Sequence, residues 1–404
     1  GGGPAGMVLG LLLARAGVLV TVLEKHADFL RDFRGDTVHA STLNLLDELG
    51  LADAFARLPA RLVDRLTLQL DAGAASFELR RLPGAHRHIA LVPQWDFLEM
   101  LATEAEREPS FTLLRNAEVT GLLTERGRVA GVRYRDRTQH CDERELRATL
   151  TVACDGRGST VRARAGLRPR EFGVPMDVCW FRLPRREADP VGVVGRFSTG
   201  RVAVMLDRHE YWQCAYLIRK GEDARMRATG IQTLRDEFAR LVPWTADRLR
   251  AVAGWEDVSL LDVRLNRLRR WSVAGLLLIG DAAHAMSPVG GVGINLAVAD
   301  AVAAARLLAG PLRAGRVGGA RLRRVQLRRW WPAALIQAGQ RLAHRFVLGP
   351  TLAVTPSDRP VSGRLPRVVR LLQRFPAFQA VPAYLVAIGP LPEHAPSWAR
   401  RREP

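Results

Sequence analysis

LLLIGDAAHAMSPVGGVGINLAVADA, Leu276 to Ala301, is the stretch on which the reading of this chain turns. It starts with an unbroken apolar run, Leu276 to Ile279, which predicts a strand buried on both faces. Gly280-Asp281 ends that strand and sets a carboxylate at its carboxyl end. A turn-rich segment, Ser287-Pro288-Val289-Gly290-Gly291-Val292-Gly293, leads into an apolar, alanine-rich helix starting near Ile294-Asn295. An acid, glycine amides and a helix N-terminus thus gather at one end of a parallel sheet. In open α/β sheets that end is where ligands bind.

Such a site favours a flat, anionic partner. The free N–H groups of a helix start carry roughly half a positive charge, worth about 0.3 to 2 kcal/mol to an anion. Glycine lets a planar ligand approach the backbone, and Asp281 suits a sugar or ribityl hydroxyl. Taken alone, the stretch also reads as the strand–turn–helix of any α/β enzyme. Two further motifs narrow it. Gly1-x-Gly3-x-x-Gly6 opens an apolar helix, Met7 to Arg15, closed by Gly17, and the strand that follows, Val18 to Leu23, ends in Glu24. Glycines for the turn, the pyrophosphate approach and the packing, with an acid about 20 residues on for a ribose, make a dinucleotide fingerprint. Leu150 to Cys154 is another apolar strand, and it runs into Asp155-Gly156-Arg157-Gly158-Ser159-Thr160-Val161-Arg162 at a helix start.

With these residues in order, the chain resembles the class A, single-component flavoprotein monooxygenases, typified by para-hydroxybenzoate hydroxylase. That family's second FAD motif is matched by Gly280, Asp281, Ala282, Ala283, His284, Pro288, Gly291, Gly293, Asn295, Asp300 and Ala301 without departure. Its D-G-x-x-S-x-x-R motif is matched by Asp155, Gly156, Ser159 and Arg162. The resemblance implies an α/β fold: a Rossmann-like FAD-binding domain, an inserted β-sheet substrate domain and a C-terminal helical region. The expected boundaries are residues 1–65, 94–174 and 259–310 for the first, 66–93 and 175–258 for the second, and 311–404 for the third. It implies FAD as cofactor and NADPH or NADH as reductant, with no second Rossmann domain. Dioxygen would react through a flavin C4a-hydroperoxide, and the substrate would be an aromatic or polyketide-like small molecule.

The resemblance also implies site residues. Gly1, Gly3 and Gly6 would pass the pyrophosphate, Glu24 would hold the adenosine ribose and Asp281 the ribityl chain. Arg34 and Gln94 stand where the family places an arginine and a glutamine on the FAD chain, and Asp155 and Gly156 where it places a contact to FAD and nicotinamide. Gly280 and Gly291 would belong to the FAD-binding set, and Pro288, Gly293, Ile294 and Asn295 would face the flavin. The helix start near Gly293 to Asn295 would stabilise negative charge on the reduced ring. No side chain is picked out as a general base. An FAD-dependent reductase, dehydrogenase or epoxidase on a polyprenyl, quinone or polyketide substrate is the alternative. A halogenase lacks support, because no W-x-W-x-I-P match is present.

The remaining chain supports this without adding chemistry. Its 404 residues carry a net charge of +19, almost all of it arginine, with lysine only at Lys25 and Lys220. The arginines are scattered and no basic run interleaves with aromatics, so codon bias is a simpler source than nucleic-acid binding. Their field would help to collect anionic FAD and NADPH. Cys141, Cys154, Cys179 and Cys214 form no CxxC pair; they read as reduced thiols of a cytoplasmic protein, with no metal site. No apolar stretch reads as a membrane span. Ser41 suits the N-cap of a helix to Leu49, with His39 in a structural role before it. Alternating strands follow from Val178 to Ile218; either face of the last, Tyr211-Gln213-Ala215 or Trp212-Cys214-Tyr216, would suit a roof over the flavin. Gln326 to Leu348 reads as a basic helix interrupted at Pro332, a helical cap or homodimer interface in preference to a membrane contact. Nothing precedes Gly1, although the fingerprint normally follows a strand. That predicts a chain clipped of its first strand, poorly folding or, at the extreme, an inactive fragment.

Overall fold

The computed structural model describes residues 1–30, 37–70, 73–80, 82–138, 143–354 and 376–401; Arg34 and Cys141 lie outside them. Helix α1 (Pro4–Arg15) is apolar all round, so every residue from Ala5 to Ala14 is buried. Gly3 is its N-cap and Pro4 its first residue, where a missing N–H costs nothing. Gly17 takes φ +72° behind it and turns the chain back. Strand β1 (Val20–Leu23) pairs in parallel with β2 (Phe111–Leu114), Val20 opposite Phe111. Strand β3 (Thr151–Ala153) pairs in parallel with β4 (Leu276–Leu278), all of whose residues are buried. Leu11, Leu12, Val22, Leu277, Leu278, Val298 and Val302 share one apolar core.

The N-cap of helix α2 (Ala40–Glu48) lies two residues earlier than the sequence suggests. It is His39, not Ser41, because the His39 N–H is taken by Asn295 Oδ1 at 3.0 Å. Helix α3 (Gln94–Glu106) buries Phe97, Leu98 and Leu101 in the same core as α1. The short α4 (Thr160–Arg164) is capped by Ser159, whose Oγ accepts from Arg162 N.

The second layer is a seven-stranded sheet in the order 259–261, 176–184, 211–219, 201–207, 193–198, 65–70, 73–78. Its pairings are antiparallel except for 193–198 beside 65–70. The strand Ile89–Leu91 stays outside it and pairs instead with Thr37–Val38 and Arg61–Val63. The choice between the faces is settled by helix α5 (Ile231–Leu241): Trp212, Cys214 and Tyr216 pack with its Leu234, Phe238 and Leu241. The opposite face, with Val202, Leu206, Ala215 and Leu217, packs with Leu348, Leu352 and Ile388 and meets Val289 of the glycine loop. That face roofs the loop.

Helix α6 (Gly293–Arg313) follows the loop, and helix α7 (Gly319–Ala343) packs beside it. Contrary to expectation, α6 is long and apolar enough for a membrane span; 61% of its apolar window is buried, as in a core helix. Helix α7 starts before Gln326 and runs through Pro332 without a break, a second correction. One π-type turn, His344–Leu348, continues it. Helix α8 (Pro376–Ala387) and the segment to Arg401 close the chain over α1, α2 and α6.

Candidate cofactor site

The site is built where β4 ends. Gly280 takes φ +57°, and a Cβ there would lie 3.3 Å from the Cβ atoms of both Ala5 and Ala297, so α1, α6 and the strand end meet at this residue. Its N–H donates to Asp300 Oδ2 at 3.0 Å. The same carboxylate lies 2.6 Å from His284 Nε2 and accepts from Arg329 Nε at 3.0 Å. Burial pushes Asp300 up, but His284, Arg329 and the Gly280 amide outweigh it and hold the carboxyl below its ordinary range. Arg329 reaches on to Leu391 O at 3.0 Å and Glu393 Oε1 at 3.5 Å. A buried charge chain therefore ties strand end, α6, α7 and the closing segment together.

The loop beyond is gripped from α7. Gln340 bonds Ser287 and Val289, His344 Nε2 lies 2.9 Å from Ser287 Oγ, and Gln337 Nε2 donates to Ala285 O at 3.1 Å. From the other side, Thr37 Oγ1 donates to Gly291 O at 2.9 Å. Gly291 takes φ +63°, and a Cβ on it would sit 2.4 Å from Thr37 Oγ1, so only glycine fits there. Asn295 Oδ1 accepts from His39 N–H and from Thr42 Oγ1 at 2.7 Å. His39 Nδ1 lies 2.8 Å from Val386 O; burial pushes this imidazole down to about 4, so it is neutral and structural.

What remains open fits FAD. Helices α1 and α6 both begin without a side-chain cap and without an acid in the first turn, leaving two sets of N–H donors facing an anion's place. Asn295 Nδ2 is a buried donor with no partner among the described residues. A Cβ added to Gly156, Gly158 or Gly293 would meet no heavy atom within 4 Å, so there is room beside these turns. Asp281 is half-buried beside Arg157, with Oδ2 3.9 Å from Nη2. Pro288 is half-buried and its carbonyl accepts from Gly291 N at 3.0 Å.

The other expected residues have more specific surroundings. A Cβ on Gly6 would sit 2.0 Å from Gly1 O, and one on Gly1 2.6 Å from Cys154 O. The fingerprint loop thus packs tightly against the strand end that carries Asp155. Glu24 is buried and accepts from Gly2 N at 2.8 Å and His26 N at 3.1 Å. It anchors the glycine loop, and a carboxylate has acceptor sites for more than two donors. Asp155 accepts from Ser159 Oγ at 2.5 Å and Val161 N at 3.0 Å, which makes it a brace for α4. Arg162 Nη1 donates to Ala282 O at 3.0 Å, joining the Asp155 motif to the Asp281 motif. Gln94 is half-buried at the start of α3. The grip of Arg329, Gln337, Gln340 and His344 was not foreseen; the only signal is polar spacing of eight, three and four along one helical face.

Comparison with known proteins gives the family. Residues 1–326 match the family model described as FAD binding domain. The 6-methylpretetramide 4-monooxygenase of Streptomyces rimosus is 33% identical over 389 residues, covering 94% of this chain and 89% of that protein. The 12-dehydrotetracycline 5-monooxygenase/anhydrotetracycline 6-monooxygenase of Streptomyces rimosus subsp. rimosus is 32% identical, covering 75% of this chain; the match spans only 60% of that longer protein. The crystal structure of p-nitrophenol 4-monooxygenase from Pseudomonas putida DLL-E4 superposes with a TM-score of 0.74 at 20% identity, over 94% of this chain and 96% of that one, which shows a shared fold. The chain belongs to the FAD-binding-domain family of FAD-dependent monooxygenases.

Proposed function

We propose that this protein uses NADPH and dioxygen to hydroxylate a fused-ring aromatic substrate of the polyketide kind. One observation carries the substrate class: the relative that matches 94% of this chain is named for oxygenating 6-methylpretetramide. The apolar sheet face above Val289 suits a flat, apolar partner. The surplus of arginine leans towards the 2′-phosphate of NADPH over NADH. The free thiols Cys154, Cys179 and Cys214 suit the reducing cytoplasm.

When bound, the flavin accepts two electrons from a nicotinamide and delivers one oxygen atom of dioxygen to the substrate. The chain's own residues position it. Gly1, Gly3 and the start of α1 hold the pyrophosphate, Glu24 the adenosine ribose and Asp281 the ribityl hydroxyls. The first-turn N–H groups of α6, from Gly293 to Asn295, oppose the negative charge that the ring system gains on reduction; preorganised donors of this kind contribute about 3 to 4 kcal/mol each in other enzymes. The loop from Ser287 to Gly293 and the sheet above it exclude water from the ring.

The test is turnover with NADPH, labelled dioxygen and a panel of fused-ring phenols. The reading expects substrate-stimulated NADPH oxidation and one labelled oxygen per product. Equal turnover without oxygen would replace it with a reductase.

A further inference from the structure

Helix α7 buries Leu322, Val325, Ala333 and Ile336 together with Arg329, Gln337 and Gln340, and leaves a second apolar row outside. Arg329, Gln337, Gln340 and the following His344 bond the site, while Leu327, Trp331, Leu335, Leu342 and Phe346 are 43% to 72% exposed. The exposed residues are spaced four, four, seven and four apart, which is one stripe along a helix. Exposed Trp330 borders it, and the exposed residues Arg323, Arg324, Arg341 and Arg345 run along it. From Gly319 to Val354 there are seven arginines and no aspartate or glutamate.

Beside the stripe three guanidinium groups gather on two rings. Arg341, Arg170 and Arg267 lie 5.0, 5.5 and 5.6 Å from the centre of Phe172, and Arg267 also stands 4.5 Å over Trp330. None of the three has a carboxylate within ion-pair distance among the described residues. Mutual repulsion and burial lower Arg267, burial first. Arg267 Nη1 donates to the neutral Gln337 Oε1 at 2.8 Å. Cations without a carboxylate partner, on aromatic faces beside an apolar ridge, are what an anionic, amphipathic surface would neutralise.

We propose that this face docks on an anionic phospholipid bilayer, with α7 lying in the membrane plane. Trp331, Leu335, Leu342 and Phe346 would enter the acyl boundary, and Arg170, Arg267, Arg323, Arg341 and Arg345 would meet the phosphates. Charge complementarity selects this occupant over a second copy. Two-fold pairing of copies through the stripe would set its arginines against their own counterparts, with no acid in the helix to relieve them. The helix does not cross the bilayer, since its inner face is fixed to Ser287, Ala285 and Asp300.

The experiment is co-sedimentation of the FAD-loaded full chain with phosphatidylcholine vesicles, pure or containing phosphatidylglycerol. Binding is expected to the anionic vesicles only, to fall at high salt, and to drop about fivefold for each of Arg341→Ala and Arg345→Ala. The pair Leu335→Glu and Phe346→Glu is expected to abolish binding while leaving the flavin spectrum unchanged. Absence of vesicle binding, or equal binding to both lipids, would overturn the proposal. So would a concentration-dependent dimer that the same glutamate pair dissociates, since the stripe would then be a self-interface.

Discussion

Gln340 holds Ser287 with both ends of its amide. Its Oε1 accepts from the Ser287 N–H at 3.2 Å, and its Nε2 donates to the Ser287 carbonyl at 2.9 Å and to Val289 O at 2.9 Å. A helix outside the nucleotide fold therefore sets the shape of the glycine loop. Gln340→Leu leaves the buried Ser287 amide and carbonyl without partners, each worth about 1 to 3 kcal/mol. The expected outcome is at least a tenfold rise in the FAD dissociation constant, read by flavin fluorescence quenching, with the helical circular dichroism kept.

Asp300 sits between His284 and Arg329, all three fully buried. Asp300→Asn removes the closer of the two carboxylates on Arg329 and leaves Glu393 at 3.5 Å; breaking a buried pair outright costs about 3 to 5 kcal/mol, so a loss up to that size is expected. A urea unfolding series should show the midpoint falling sharply. An unchanged midpoint would mean that the chain is not what joins β4, α6 and α7.

Asp281 is predicted to behave in the opposite way. It is half-buried and accepts no hydrogen bond from the described residues, so Asp281→Ala should leave the unfolding free energy within about 0.5 kcal/mol of wild type. Tight FAD binding should nevertheless be lost. A full complement of FAD in this variant would remove Asp281 from the ribityl contact.

Acid sensitivity should trace to His39. Its folded value of about 4 lies below the ordinary 6.5, so below 6.5 the unfolded chain binds the proton that the folded chain refuses. Stability is full above pH 6.5 and falls as pH drops towards 4, by roughly 3 kcal/mol in all. Burial lowers His344 as well, with the same sign. Thermal melts of His39→Gln across this window should be flatter than those of wild type.

Much of the local structure around the candidate site was legible because its signals are local. Gly280, Asp281, Gly291, Gly293 and Asn295 are close in sequence, and each answers a turn, a strand end or a helix start. The dinucleotide loop and the Asp155 turn are legible for the same reason. The alternating strands of the sheet also showed, yet the roofing face did not, since both faces are apolar and only the docking of α5, through its Leu234 and Phe238, on Trp212 and Tyr216 decides. Ser41 is a better intrinsic cap than His39; Asn295, 256 residues away, overrides that preference. Gln337 and Gln340 carried no local signal, because their partners, Ala285 and Ser287, lie some fifty residues earlier. Arginine-rich flanks hid the exposed apolar stripe of α7.

The most direct measurement is the visible spectrum of the purified protein, with the released chromophore identified by chromatography. The account predicts FAD near one per chain, with the absorbance of a protein-bound flavin. A folded protein that is colourless, and stays colourless after FAD is added, would contradict it.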